Sequence, residues 1–586
     1  MESVRLQSLE NEAHKHNQKL SSSETTISGD DQARGSQDVS KRGGWITFPF
    51  IMGNLAGLSV AAGGWGANWI VFLITKFHIG SIAATKINNV GFGFVNLFPI
   101  AGAIIADTFT GNFTVVSVSS FIALIGMAML TLIAGIHSLK PSPCEVGSTT
   151  SCENPTKLQY LFLYTAMGLT TLGVGGSRFT IATLGADQFD KTDHQGAFFN
   201  WFFVVLYVGN AISFIAIVYI QDNIGWGLGF GICLIMVAIG LVLLLLGKPF
   251  YRLLKPKGSP FVSIARVLVA AIRKRKVSTK SLESLDYCYG TTGMSKMVQG
   301  TPSKSFRFLN RAALKTENDR QSHGSYPKSW NLCTVEEVED LKTVMKILPL
   351  WSTGILLSIT IAIVNSMSTV QALTMDRKLG SIKIPAGTLL VFSLMSTAIS
   401  IFIIDRFLLP MWRKLSGRPL TLLQRIGVGH VINAIGMVVS ALIEARRLHL
   451  ARSEGVTHQP GSVVPMSALW LVVNLVIIGF GEGFQFPGQV ALYYQEFPES
   501  LKSTSTAMIS FLIGLGYYLS AAVMNFVDRT TGWLPNNINE GHVDKVFWLC
   551  AVIGVVNFGF YLVCAWLYKY QRDRNADDDI GEQQPT

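Results

Sequence analysis

Residues 226–246 read Trp-Gly-Leu-Gly-Phe-Gly-Ile-Cys-Leu-Ile-Met-Val-Ala-Ile-Gly-Leu-Val-Leu-Leu-Leu-Leu, with no charged side chain. About 20 residues of helix cross the hydrocarbon core of a bilayer, so this run is long enough to do so alone. Its backbone must satisfy its own hydrogen bonds in lipid, which makes it a helix. Eleven comparable segments flank it. The expected crossings are 46–75, 85–107, 114–138, 158–186, 198–221 and 225–247, then 342–374, 385–408, 419–445, 466–495, 502–528 and 545–569. Six precede a basic polar stretch from Lys248 to Asp340 and six follow it. That layout predicts an all-α membrane protein, with 12 transmembrane helices in two six-helix lobes, as in a secondary transporter. Charged residues make up only 15% of the chain, against about 25% in ordinary soluble domains.

The charge is unevenly placed. Of a net +11, most lies in 248–340, which holds 17 Lys and Arg against 8 Asp and Glu. By the positive-inside rule this stretch is cytosolic, and an even number of spans puts both termini there too. Arg377, Lys378, Lys383, Arg446 and Arg447 break the pattern, because they fall in loops assigned to the outside. The expected organisation is a polar cytosolic tail (1–42), a first lobe (43–247), the basic linker (248–340), a second lobe (341–570) and a short tail (571–586). Residues 1–42 have no apolar core that would make a signal peptide. Within the linker, Ile264, Val267, Leu268 and Ile272 recur at helical spacing and lead into Arg273-Lys274-Arg275-Lys276. They predict a lateral helix over 261–276 lying on the inner leaflet. The basic surface belongs beside anionic lipid, with no nucleic acid as partner.

Cys144 and Cys152 lie in the loop after the third segment. This topology puts that loop outside, where a local disulfide can form. Cys233, Cys550 and Cys564 are packing residues. No Cys/His set has metal-ligand spacing, and no phosphate loop or nucleophile–base pattern is present, so neither an enzyme nor a cofactor is expected.

Ionisable residues at membrane depth are costly and mark function. Arg178 follows Gly173, Gly175 and Gly176 in the fourth segment, and Glu482 sits within Gly481-Glu482-Gly483 in the tenth. One cation and one anion in opposite halves are expected to pair across a central cavity in one state and part in another. Asn54, Tyr207, Trp351 and Gln371 complete the expected substrate-binding set. Trp65, Trp69 and Phe202 are further aromatic candidates for the cavity. Asp107, Gly111, Asp187 and Asp190, near the inner helix ends, are expected gate or structural residues. The first segment has no ionisable residue between Trp45 and Lys76, although a proton-driven symporter needs a group that titrates while substrate binds.

Gly185-Ala186-Asp187-Gln188-Phe189-Asp190, followed by Phe198-Phe199-Asn200-Trp201-Phe202-Phe203, resembles the signature of the proton-coupled oligopeptide transporter superfamily. More narrowly it is similar to the plant nitrate transporter 1/peptide transporter family. Gly258-Ser259-Pro260-Phe261, Thr374-Met375-Asp376-Arg377 and Leu423-Gln424-Arg425-Ile426-Gly427 extend the resemblance over about residues 43–570. It implies a major facilitator fold, with Arg178 and Glu482 at the positions of the family's fourth-helix Lys/Arg and tenth-helix Glu. The family's proton-coupling Glu-x-x-Glu-Lys/Arg motif aligns with Leu55, Leu58 and Ser59, so all its ionisable groups are missing. The nitrate-binding His of the seventh helix has no counterpart in 351–375. Thr114 lies one position from the family's phosphorylation switch, which is therefore not carried over. The first helix looks like that of the nitrate excretion branch, which implies efflux of nitrate or chloride at the plasma membrane. Export of an organic solute such as a glucoside, a vacuolar location and an anion sensor remain as alternatives. The expected partners are a small anion or small organic solute and the lipid bilayer, with the protein a monomer or weak dimer.

Overall fold

The computed structural model describes residues 42–142, 154–178, 180–253, 260–275, 287–288, 302–303, 305–315, 330–459, 462–497 and 502–568. The two expected tails fall almost wholly outside this set, as do Cys144 and Cys152. Twelve crossing helices are present among the described residues. In the first lobe they are Phe48–Gly66 (continued by Trp69–Phe77), Ser81–Ile105, Asn112–Gly135, Lys157–Ser177 (continued by Thr180–Ala186), Thr192–Ile212 (continued to Asn223) and Trp226–Leu246. In the second they are Val335–Leu373, Val391–Ile403, Leu422–Ser453, Trp470–Glu496, Lys502–Thr531 and Val543–Leu567. Eleven are long and apolar enough to cross a membrane. The fourth falls short because Gln159, Tyr160, Tyr164, three threonines and a run of glycines dilute it.

One end of the bundle carries the 248–334 linker and is called the linker end below. The opposite end carries the turns at 376–386 and 532–541 and is called the far end. At the far end of the second lobe, Met375–Asp376 pairs with Val464–Ser467 in parallel, and Lys378–Leu379 forms a small hairpin with Ile382–Lys383.

Two helices outrun their expected limits for visible reasons. The seventh starts at Val335, because Thr334 accepts from Glu337 N and Glu337 reaches back to Thr334 N, a reciprocal cap. The ninth runs on to Ser453 through the arginines expected in a loop. Arg447 is fully buried and gives two 2.7 Å hydrogen bonds to the equally buried Glu444. Gln371 Nε2 donates to the same carboxylate at 2.6 Å, and Arg447 also reaches Thr374 and Asn539. Arg446 lies over the Trp470 ring. Arg377 stands 3.8 Å from Asp222. Three of the cations that break the charge pattern are thus paired or stacked.

The lateral helix is Pro260–Arg273. Val267, Ala270 and Ala271 pack with Leu309, Ala312, Val338 and Leu341 against the linker-end extension of the seventh helix. Leu268 and Ile272, on the flank of the same apolar face, are exposed. Arg266 pairs with Glu337 across the packed face, and Lys274 Nζ donates to Leu314 O at 2.6 Å.

Candidate functional site

The lobes meet along the second and eleventh helices, and they enclose a cavity of about 920 Å³. Its lining runs from Asn88 and Asn365 near the far end to Asp107, Asn112 and Ala186 at the linker end.

The far end is shut. Lys86 Nζ lies 2.6 Å from Asp528 and 3.3 Å from Asn525, bridging the lobes through the second and eleventh helices. Asp222 of the fifth helix faces Arg377 of the other lobe and accepts from Asn68 Nδ2 at 3.3 Å. Ser81 Oγ donates to Asn536 O at 2.8 Å. Gly387 sits so close to the break in the first helix that a Cβ there would stand 2.3 Å from Ala67 O.

Arg178 lies at the break between the two pieces of the fourth helix and is open to the cavity. The glycines before it let that helix approach its neighbours: a Cβ on Gly175 would stand 2.9 Å from Val95 O, and one on Gly173 2.3 Å from Ala123 N. This close packing holds the guanidinium over the second helix, where Nη1 donates to Asn96 Oδ1 at 3.2 Å. Glu482 lines the opposite wall. Added Cβ atoms on Gly481 and Gly483 would collide with Asn433 and Ser400, so the tenth helix is pressed against the ninth and eighth and turns Glu482 inward. Its Oε2 lies 3.2 Å from Thr397 Oγ1, a hydroxyl shared with Ser393 O at 2.9 Å. Arg178 and Glu482 therefore face one cavity without forming the expected ion pair in this conformation. Each is held by a neutral group of its own lobe.

Of the other expected binding residues, Tyr207 lines the cavity, as does Phe202. Asn54 does not. It exchanges hydrogen bonds with Ser120 at 3.1–3.2 Å inside the first lobe. Trp351 stacks on Phe511, and its Nε1 donates to Met508 O at 3.0 Å. Gln371 belongs to the buried Glu444–Arg447 network. Trp65 and Trp69 are core residues packed on each other. Of the three neutral residues at the missing proton motif, Leu55 lines the cavity. Leu58 is in the core, and Ser59 Oγ donates to Leu55 O at 2.7 Å. Asp107 is on the cavity wall, in a wide π turn (Ala106–Thr110) that ends at Gly111, where φ is 79°. Asp187 accepts from Asn112 Nδ2 at 3.1 Å. Asp190 is exposed, and the Arg252 guanidinium bonded to it holds its carboxyl below the usual carboxylate range.

Several lining residues had escaped the sequence reading: Asn88, Phe92, Asn96, Asn365, Thr397 and Tyr517. The first three recur every fourth residue, a signal of one helical face that was available.

A cavity between two six-helix lobes, closed at one end and flanked by an opposed Arg and Glu, is the geometry of an alternating-access carrier. The POT family profile matches residues 113–540. The chain belongs to the POT family. It is 48% identical over 562 residues to Protein NRT1/PTR FAMILY 2.5 of Arabidopsis thaliana, covering 95% of this chain and 98% of that one. It is 47% identical to Protein NRT1/PTR FAMILY 2.7 of the same plant, covering 95% and 99%. Among solved structures, an auto-inhibited POT family peptide transporter superposes with a TM-score of 0.65 at 16% identity, covering 89% of this chain and 97% of its own. The POT family transporter PepTSo gives 0.65 at 18% identity, covering 89% and 98%. These likenesses establish the major facilitator fold. This POT-family chain is a multi-pass membrane transporter.

Proposed function

We propose that this chain moves anions across the plasma membrane by alternating access, with Arg178 as the charge that draws the anion in. The observation that carries this reading is the state of Arg178. It opens onto the cavity and is held by neutral Asn96, and among the described residues no carboxylate pairs with it. A guanidinium kept this way has hydrogen-bond capacity and charge left for a ligand. Glu482 on the other lobe competes for the cation as the lobes close and so promotes release.

The linker end is cytosolic in this account, because its basic residues follow the positive-inside rule. The conformation is then open to the cytosol. The first-helix residues that reach the cavity are Leu55, Gly66, Ala67 and Ile70, and none of them titrates a proton. An anion leaving a cell with a negative interior gains about 2.3 kcal/mol per 100 mV, so efflux of nitrate or chloride needs no coupled proton. A second reading, transport of an organic solute, is favoured by the volume and by Phe92, Tyr207 and Tyr517 on the walls. Such a cavity suits a drug-sized ligand.

Flux in proteoliposomes separates the two. With an imposed potential, labelled nitrate and chloride are expected to move at rates independent of pH. An absence of inorganic anion flux, with organic flux present, defeats the first reading.

A further inference from the structure

Anion binding at Arg178 leaves the closed end of the cavity unused. Asn88 of the second helix and Asn365 and Thr369 of the seventh line it. Asn88 is 4% exposed and Thr369 2%. Asn88 Oδ1, Asn365 Oδ1 and Thr369 Oγ1 have no hydrogen-bond partner among the described residues. Buried polar atoms are rarely left so, and each calls for an explanation.

A relay of hydrogen bonds fixes which atom of Asn88 is bare. Ser366 Oγ donates to Ala362 O at 2.7 Å, and Ser520 Oγ donates to Tyr517 O at 2.6 Å. A hydroxyl has one proton, so both oxygens can now only accept. Asn89 Nδ2 supplies them, at 3.4 and 3.0 Å. Asn89 Oδ1 is thereby turned to Asn88 and accepts from its Nδ2 at 3.5 Å. Asn88 Oδ1 is left as an acceptor with no donor. Nitrate and chloride bring only acceptor capacity and cannot satisfy it. A ligand hydroxyl can, by donating to Asn88 Oδ1, and Thr369 Oγ1 is a second unpartnered group in the same lining.

We propose that Asn88 and Thr369 form a hydroxyl-recognising subsite at the closed end of the cavity. Resting on the reading of Arg178 as the anion site, this makes the favoured substrate an organic anion with hydroxyls at the end remote from its charge. Inorganic anions engage Arg178 alone, and the subsite ranks hydroxylated organic anions above them. A site built to hydrogen-bond a hydroxyl rejects an analogue that lacks it far more strongly than an apolar pocket discriminates by size.

The test is equilibrium binding to the purified full-length protein. The ligands are radiolabelled gluconate and hexanesulfonate, an anion of the same chain length without hydroxyls. Gluconate is expected to bind at least tenfold more tightly. Asn88→Leu combined with Thr369→Val is expected to erase that advantage while hexanesulfonate binding is unchanged, and Thr369→Ser keeps it. A melting curve checks that the variants fold. Equal affinity for the two anions in the native protein overturns the subsite. So does a gluconate preference that survives the double change, because the bare atoms are then ordinary water sites. Arg178→Gln is the separate arm. It is expected to weaken both anions, and if it weakens neither, the anion reading fails independently of the subsite.

Discussion

Gly387 offers a steric handle on the far-end seam. A methyl group there would sit 2.3 Å from Ala67 O and 3.1 Å from Asn68 Oδ1, both on the other lobe. Ordinary contact begins at 3.4 Å, so the seam must open by roughly an ångström, and the obstacle is backbone that cannot swing aside. Overpacking of this kind costs about 1–3 kcal/mol. The clash exists only while the far end is closed, so the whole cost falls on that state. The ratio of closed to open molecules should drop by about 5- to 150-fold. The assay is the initial labelling rate of Asn365→Cys by a membrane-impermeant maleimide applied to the far-end face, measured against the protein without that cysteine. Adding Gly387→Ala is expected to raise the rate at least fivefold. Gly80→Ala is the control: its Cβ would meet the movable Asn536 side-chain end, so the effect should be smaller. An unchanged rate in folded Gly387→Ala protein would refute the assignment of this contact to the closing seam.

Two further outcomes concern residues that lie away from the cavity. Glu444→Ala leaves Arg447 charged and unpaired among buried groups, a loss of about 3–5 kcal/mol. It should collapse the melting transition, whereas Glu444→Met with Arg447→Met recovers much of it. Trp351→Phe forfeits the bond to Met508 O but keeps the stacking on Phe511. It should lower stability by about 1 kcal/mol with anion affinity unchanged, and a selective loss of affinity would return Trp351 to the site.

The fold was legible because an uncharged run such as 226–246 has one structural outcome in a bilayer. The end of the ninth helix was not, because Arg446 and Arg447 read as a loop until their partners Trp470 and Glu444 are seen in space. The seventh helix had a readable start, the Thr334–Glu337 capping pair. The site was half legible. Arg178 and Glu482 stand out as charges in apolar runs. Asn54 was chosen over Leu55, and it is Leu55 that lines the cavity: one residue turns a helix by about 100°, and the phase of the first helix is set by packing. Gln371 and Trp351 do not line this cavity: Gln371 Nε2 donates to Glu444, and Trp351 Nε1 donates to Met508 O. Arg178 and Glu482 make no contact in this conformation, each bonding a neutral side chain instead, and a sequence does not specify which conformation is populated.

In the proposed function, the Arg178 charge carries the anion. Unscreened at an effective dielectric of about 20, a unit charge at 4 Å contributes about 4 kcal/mol. The cavity is open to water at its linker end, so the realised share is nearer 1.5–3 kcal/mol, the range for hydrogen bonds to charged groups. The decisive measurement is potential-driven anion flux in proteoliposomes for the native protein, Arg178→Gln and Arg178→Lys. Flux is expected to fall about 10- to 100-fold for Gln and to be partly retained for Lys. Native flux from the Gln variant would contradict it.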